Sequence, residues 1–339
     1  MTLHNLGLNA FIMKTELTYI CSADYQGYRD NLIEFRERIN GTAPVRFFDS
    51  FYTGNPCGEP LFGLCFDSGK LVGQENYIRQ DVVRGGKKCR GAMGINTLVD
   101  PGYRLFHGVF GRLCSLTMDA LAAKVDMLFA FANEESKKYY LKYFQWDVAS
   151  KIGVYKKATG FSGPFPEKIL ALLCQGRLTK EISLLQVDQF DPSLLNPLLE
   201  RYLERATHSY FYKSAEYLNW KFLRNNHYAV KGFYIRHSGN ICGYCLTYDD
   251  GTERKLLDFI IDSDDADIFT MMLDTLAWQA RKDNKQRLVA FATPGCWYEP
   301  LLRRRMFIKR WDFDFIIHTF ASQESGEQWV AHAGDFDMF

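Results

Sequence analysis

This chain carries the same short phrase in two places. Ser68-Gly-Lys-Leu-Val-Gly73 and Ser238-Gly-Asn-Ile-Cys-Gly243 lie 170 residues apart and share a Ser-Gly pair, a Leu or Ile, and a second glycine. At the same offset Asn55 falls on Asn225, and Phe51-Tyr52 falls against Lys221-Phe222. Further on, Phe129-Ala-Phe-Ala-Asn133 resembles Val289-Ala-Phe-Ala-Thr293, but at an offset of 160. A unit of this size present only twice predicts two related domains; a solenoid needs three or more short repeats. The ten residues lost between the matches mark where the copies differ.

A length of 339 residues allows each copy its own core. Lys and Arg number 41 against 40 Asp and Glu, so the basic excess that coats nucleic acid is missing and no nucleic-acid partner is expected. Aromatic residues make up 15%, which fits large cores, with a minority left to face a planar base or a sugar. Cys242 and Cys245 have no second pair or nearby histidines to complete a metal site, so no metal is expected. Nine scattered cysteines without a framework predict reduced thiols and a cytoplasmic location. Neither a secretory signal nor a membrane span is expected, since no apolar run nears the roughly 20 residues needed.

Apolar spacing predicts a helix over 26–39, with Leu32, Ile33, Arg36 and Ile39 inward, and strands over Leu61–Phe66, Leu71–Arg79 and Gly91–Val99. A helical stripe starts at Gly108, a buried strand spans Met127–Ala132, and a helix spans Glu134–Phe144. Residues 159–190 read as a connector with a short helix near Glu167–Cys174, and Asp191-Pro-Ser193 opens the next helix. The second copy repeats the scheme: a hairpin around His237–Asn240, strand Leu256–Ile261, a helix from Ile268 to Ala280 and strand Leu288–Ala292. The fold class is a mixed α/β sheet, mainly antiparallel and flanked by helices, in two tandem domains at 13–158 and 191–339. No dinucleotide-binding or P-loop glycine motif is present.

Strand Gly91–Val99, followed by Asp100-Pro-Gly-Tyr-Arg-Leu-Phe-His-Gly-Val-Phe-Gly-Arg-Leu113, resembles the GNAT acyltransferase superfamily in a tandem form covering most of the chain. The resemblance implies a splayed central strand and a glycine turn opening a helix, whose N–H groups and positive end hold the pyrophosphate of an acyl-coenzyme A. It makes Leu98, Val99, Arg104, Leu105, His107, Gly108, Val109 and Phe110 the cradle. Three residues separate Arg104 from Gly108, where the family has two, and Val109-Phe110 stands where it has a small residue. Asn133 is implied for the pantetheine arm, and Tyr140, seven residues on, as the proton donor to the departing thiolate. In the second copy Asp262-Ser-Asp-Asp-Ala-Asp267 replaces the glycine turn, a sensible helix cap that repels pyrophosphate.

The resemblance further implies direct attack by an amine on acetyl- or short hydroxyacyl-coenzyme A, with a main-chain N–H near Asn96–Leu98 stabilising the oxyanion. Glu75 is the candidate base, read otherwise as an exposed strand carboxylate; His107 is a second candidate. The acceptor implied is the amino group of a dTDP- or UDP-linked deoxysugar of bacterial surface-polysaccharide synthesis. Tyr210, Tyr212, Trp220 and Trp297 are candidates to line its cleft, with core packing as the competing role. A homodimer is left open. Two other readings stand beside this one: a transferase taking its acyl group from charged tRNA, and a non-catalytic ligand-binding or scaffold protein.

Overall fold

The repeated Ser-Gly pair makes the same turn twice: Ser68 and Gly69 have φ of 50° and 83°, and Ser238 and Gly239 have 49° and 86°. Successive residues at positive φ form the two-residue turn whose twist suits a β-hairpin, and glycine takes the second position without a Cβ clash. These values come from a computed structural model that describes residues 16–42, 45–104, 108–159, 182–224, 229–320 and 327–336. The connector helix expected near 167–174 and Asn225 lie outside the described residues.

The first half runs β1 (Leu17–Ser22), α1 (Tyr25–Asn40), α2 (Val45–Tyr52), β2 (Leu61–Asp67), β3 (Lys70–Arg84), β4 (Lys87–Val99), α3 (Val109–Leu121), β5 (Met127–Ala130), α4 (Glu134–Tyr143) and β6 (Asp147–Ala158). The second runs β7 (Ile182–Val187), α5 (Pro192–Arg205), β8 (Ser209–Phe211), α6 (Ala215–Leu218), β9 (Val230–His237), β10 (Asn240–Asp250), β11 (Glu253–Ile261), α7 (Ala266–Lys282), β12 (Arg287–Ala292), α8 (Glu299–Arg304), β13 (Ile308–Thr319) and β14 (Trp329–Val330). Beyond the turn the likeness continues. Register slips past Val72 in the β2–β3 hairpin and past Cys242 in the β9–β10 hairpin, the same place in each copy. The second glycine is needed for close approach. A Cβ on Gly73 would sit 2.6 Å from Val109 of α3, and one on Gly243 2.3 Å from the Ile260 carbonyl.

The strands join in one sheet of order β1-β2-β3-β4-β5-β13-β6-β12-β11-β10-β9-β7, with β8 and β14 off this path. Each half lends a strand to the other: β6 pairs with β12 and β13, while β13 pairs with β5 and β6. Residue 158, where the sequence reading closes the first domain, therefore ends a strand lying between two strands of the second half.

Local chemistry explains the helices around the first sheet. Asp24 caps α1 through the Gly27 N–H, and Gly41 at φ 76° ends it. Its buried face centres on Leu32 and Phe35; Ile33, Arg36 and Ile39 are half-buried beside it, and Arg36 reaches the sheet at Asn96. α1 and α2 cover one face, joining Leu32, Phe35, Phe48 and Phe51 to Phe62 and Phe129 of the sheet. α3 and α4 cover the other, with Cys114, Leu121 and Tyr140 packed on Tyr77 and Leu128. Among the described residues no helix is long and apolar enough to cross a membrane.

Candidate active site

β4 and β5 run parallel in register from Gly91 opposite Met127 to Gly94 opposite Ala130. β5 then stops while β4 continues to Val99, so the two strands part into a cleft. Within that stretch β4 bulges: Asn76 pairs with Ile95 and Gln74 with Leu98, leaving Asn96 and Thr97 opposite Glu75. Asn96 has φ of 51°, a left-handed conformation that asparagine tolerates better than most side chains. A bulge re-aims main-chain groups out of the ladder.

Alternation along β3 sends neighbours to opposite faces. Glu75 and Tyr77 face α3 and α4. The Glu75 carboxyl is fully buried and accepts from Tyr140 (2.8 Å), Tyr77 (2.9 Å) and Thr117 (3.1 Å). It is not the exposed strand carboxylate of the alternative reading. Burial raises its pKa above the ordinary value, outweighing the hydroxyl donors, and raises that of Tyr140 well above its own. Tyr140 lies 3.4 Å from the Thr97 hydroxyl, and its ring is fixed between Phe110 (5.3 Å) and Trp146 (4.7 Å). Two residues singled out in the sequence, 65 positions apart, thus meet in one hydrogen bond.

A carboxyl with a raised folded pKa stabilises most below its ordinary value of 4.5, and that contribution is lost as pH rises through the folded value. Glu75→Gln mimics the protonated acid. We expect wild-type stability, measured by urea unfolding, to fall relative to Glu75→Gln as pH rises above 4.5; a gap independent of pH would contradict this.

On the other face Asn96 donates to Tyr52 Oη (2.8 Å) and accepts from Arg36 Nη1 (2.5 Å), while Gln74 Nε2 donates to the Asn96 carbonyl (2.8 Å).

Past the cleft, Asp100 caps a turn at Pro101–Tyr103, and Arg104 Nε returns to the Val99 carbonyl at 3.0 Å. Leu105 and His107 lie outside the described residues. Gly108, at φ 59°, begins α3 with no side-chain cap. In the second half Asp265 caps α7, accepting from the N–H groups of Asp267 (2.8 Å) and Ile268 (3.0 Å). One helix start is open and its counterpart closed by a carboxylate. Beside the open one lies a depression of about 530 Å³ lined by Tyr19, Gly108, Gly111, Arg112, Ser115 and Leu116.

Gly111 and Arg112 were not singled out in the sequence, although Gly108-x-x-Gly111 is legible as two small residues on one helical face. Val109 is buried against Gly73, and Phe110 wedges between α3 and α4, so both side chains pack and leave only their backbone to the helix start. Leu98 is half-buried and Val99 buried on the cleft strand. Asn133 caps α4, its Oδ1 taking the Glu135 (3.1 Å) and Ser136 (2.9 Å) N–H groups.

Of the aromatic residues expected at the acceptor cleft, Tyr210, Tyr212 and Trp220 are buried and Trp297 is half-buried. Trp220 stacks on Phe51 and donates to the Thr53 carbonyl at 2.7 Å; Tyr212 donates to Glu200; Tyr210 and Tyr202 meet edge to face. Trp297 sits against Phe269 and Tyr298. Their large apolar area is used in the core, as composition alone equally allowed.

No protein-family model matches this sequence, and no curated protein resembles it detectably. Solved structures do. A GCN5-related N-acetyltransferase from Anabaena variabilis superposes with TM-score 0.65 at 12% identity, over 90% of this chain and 73% of that one. One from Kribbella flavida gives 0.63 at 11% identity, over 89% and 72%. N-myristoyltransferase of Saccharomyces cerevisiae, with myristoyl-CoA bound, gives 0.59 at 11%, over 89% and 82%. The chain has the fold of these acyltransferases, a mixed sheet flanked by helices.

Proposed function

We propose that the protein transfers an acyl group from acyl-coenzyme A to an amine by direct attack in a ternary complex. One observation carries the reading: α3 opens uncapped at Gly108 beside the parting of β4 and β5, while its counterpart α7 is capped by Asp265. An uncapped helix start offers unpaired N–H donors and a positive end to a pyrophosphate. A Cβ built on Gly108 meets no atom within 4 Å, so the approach is open, and Arg112 brings a guanidinium to the same depression. Acyl-coenzyme A held there supplies an activated thioester carbonyl.

Main-chain donors of the Asn96–Thr97 bulge face the oxyanion that develops on attack. Tyr140, protonated at neutral pH, gives its proton to the thiolate sulfur as the C–S bond breaks, and its phenolate takes back the proton that the amine nitrogen sheds on becoming an amide. Glu75 accepts the Tyr140 hydrogen bond and so orients that hydroxyl; it lies on the face away from Gln74 and Asn76. Tyr140→Phe is expected to lower kcat by about 100-fold, the usual scale of a general acid. Acetyl-coenzyme A affinity should stay near wild type by calorimetry. An unchanged kcat would remove Tyr140 from this role.

The finer acceptor, an amino group on a dTDP- or UDP-linked deoxysugar, is supported by the sequence resemblance alone. A free-thiol assay over a panel of such sugars with acetyl- and longer acyl-coenzymes tests it. Calorimetry with acetyl-coenzyme A separates the class: absence of binding at millimolar ligand favours the tRNA-dependent or non-catalytic reading.

A further inference from the structure

We infer that Gln74, with Tyr52 and Arg36, is a positioning residue that aims the bulge N–H at the acyl carbonyl; this rests on the acyl-coenzyme A reading above. Gln74 is 2% exposed on the face covered by α1 and α2. Its Nε2 donates to the Asn96 carbonyl at 2.8 Å, while its own Oε1 is buried with no hydrogen-bond partner. A buried amide with half its capacity unmet costs stability, so Gln74 is poorly suited to a purely structural role.

Peptide geometry supplies another. In a trans peptide the carbonyl and the following N–H point in opposite directions. Gln74 draws the Asn96 carbonyl towards α1 and α2, so the N–H of Thr97, in the same peptide unit, is directed to the face of α3 and α4. That face holds Tyr140, whose hydroxyl is 3.4 Å from the Thr97 side chain, and the uncapped start of α3. Among the described residues β4 has no strand partner on the β5 side past Gly94. A hydrogen bond to the carbonyl oxygen also polarises the peptide, making its N–H a stronger donor.

Asn96 must hold its left-handed conformation for this to work. Its side chain is tied at both ends, to Arg36 at 2.5 Å and to Tyr52 at 2.8 Å, and Asn76 Nδ2 donates to the same tyrosine oxygen at 3.2 Å. The set spans α1, α2, β3 and β4. Its side chains lie on the face away from α3, although Gln74 is the ladder partner of Leu98.

The test is the infrared carbonyl band of acetyl-coenzyme A labelled with carbon-13 at the carbonyl, bound to the full chain. In wild type the band should move to lower wavenumber than in free solution. In Gln74→Leu, which keeps the bulk and removes the donor, that movement should be at least halved, with Tyr52→Phe intermediate. Affinity for the labelled thioester should stay close to wild type, and thermal stability should hold or rise because the unmet oxygen is gone. A wild-type band at the free position, or an equal shift in Gln74→Leu, overturns the assignment while leaving coenzyme A binding intact. Failure of wild type to bind the thioester overturns the acyl-donor reading and this inference together.

Discussion

Gly108→Val should weaken acetyl-coenzyme A binding by on the order of 100-fold, equivalent to about 2.7 kcal/mol. Two effects add. Valine at φ 59° meets the left-handed penalty of roughly 1–2 kcal/mol, which shifts the helix start. Its side chain also projects into the space over the first N–H groups of α3, where a Cβ now meets nothing. The matched control is Asp265→Ala at the start of α7. It removes a cap worth about 1 kcal/mol of stability and should leave thioester affinity unchanged. Calorimetry on both variants decides. Equal affinity in wild type and Gly108→Val, or a loss in Asp265→Ala, would refute the assignment of the donor to the first half.

Lys213→Met should cost the fold about 3–5 kcal/mol, the scale of breaking a buried ion pair from one side. Lys213 is 2% exposed and lies 3.1 Å from Asp258 and 2.5 Å from Asp335, each 1% exposed. Asp258 also accepts from Tyr244 at 3.0 Å and meets His332 Nδ1 at 2.7 Å. Burial opposes the charge on both partners, and the opposite charge outweighs it: Lys213 is raised above its usual value and Asp258 lowered to about 2. A carboxylate with a depressed folded pKa stabilises above its ordinary 3.8, and that contribution is lost as pH falls through about 2. The stability gap between wild type and Lys213→Met should therefore narrow as pH falls towards about 2. Combining it with Asp258→Asn should recover part of the loss, because the stranded charge goes with it. Urea midpoints with unchanged slope check the magnitude; a variant as stable as wild type would show that the lysine is not holding the carboxylates.

Much of the scaffold was legible in the residues. The Ser-Gly turns, the helix caps at Asp191 and Asp265 and the stripe of α3 are local, and each recurs within a residue or two of its expected place. The asymmetry between the two helix starts was legible as well, because glycine and aspartate differ in what they offer an N-terminus. The acceptor aromatics were not separable from core residues: tyrosine and tryptophan carry the same area to either place, and only packing distinguishes them. Arg112 was missed because a lone arginine on a helix has no signature until its neighbours form a depression.

Turn geometry, capping and strand alternation follow from φ preferences and side-chain chemistry within a few residues, so the chain's own order was enough to give the repeated turn and one open helix start. Which strands meet in the middle was decided only in three dimensions. Main-chain hydrogen bonds are nearly blind to side chains, and β6 and β13 exchange between the halves with no local mark of it. The placing of the Asn96 carbonyl against Gln74, and of Thr97 beside Tyr140, depends on a one-residue bulge in β4. Because strand side chains alternate with period two, that single residue decides which face each group serves.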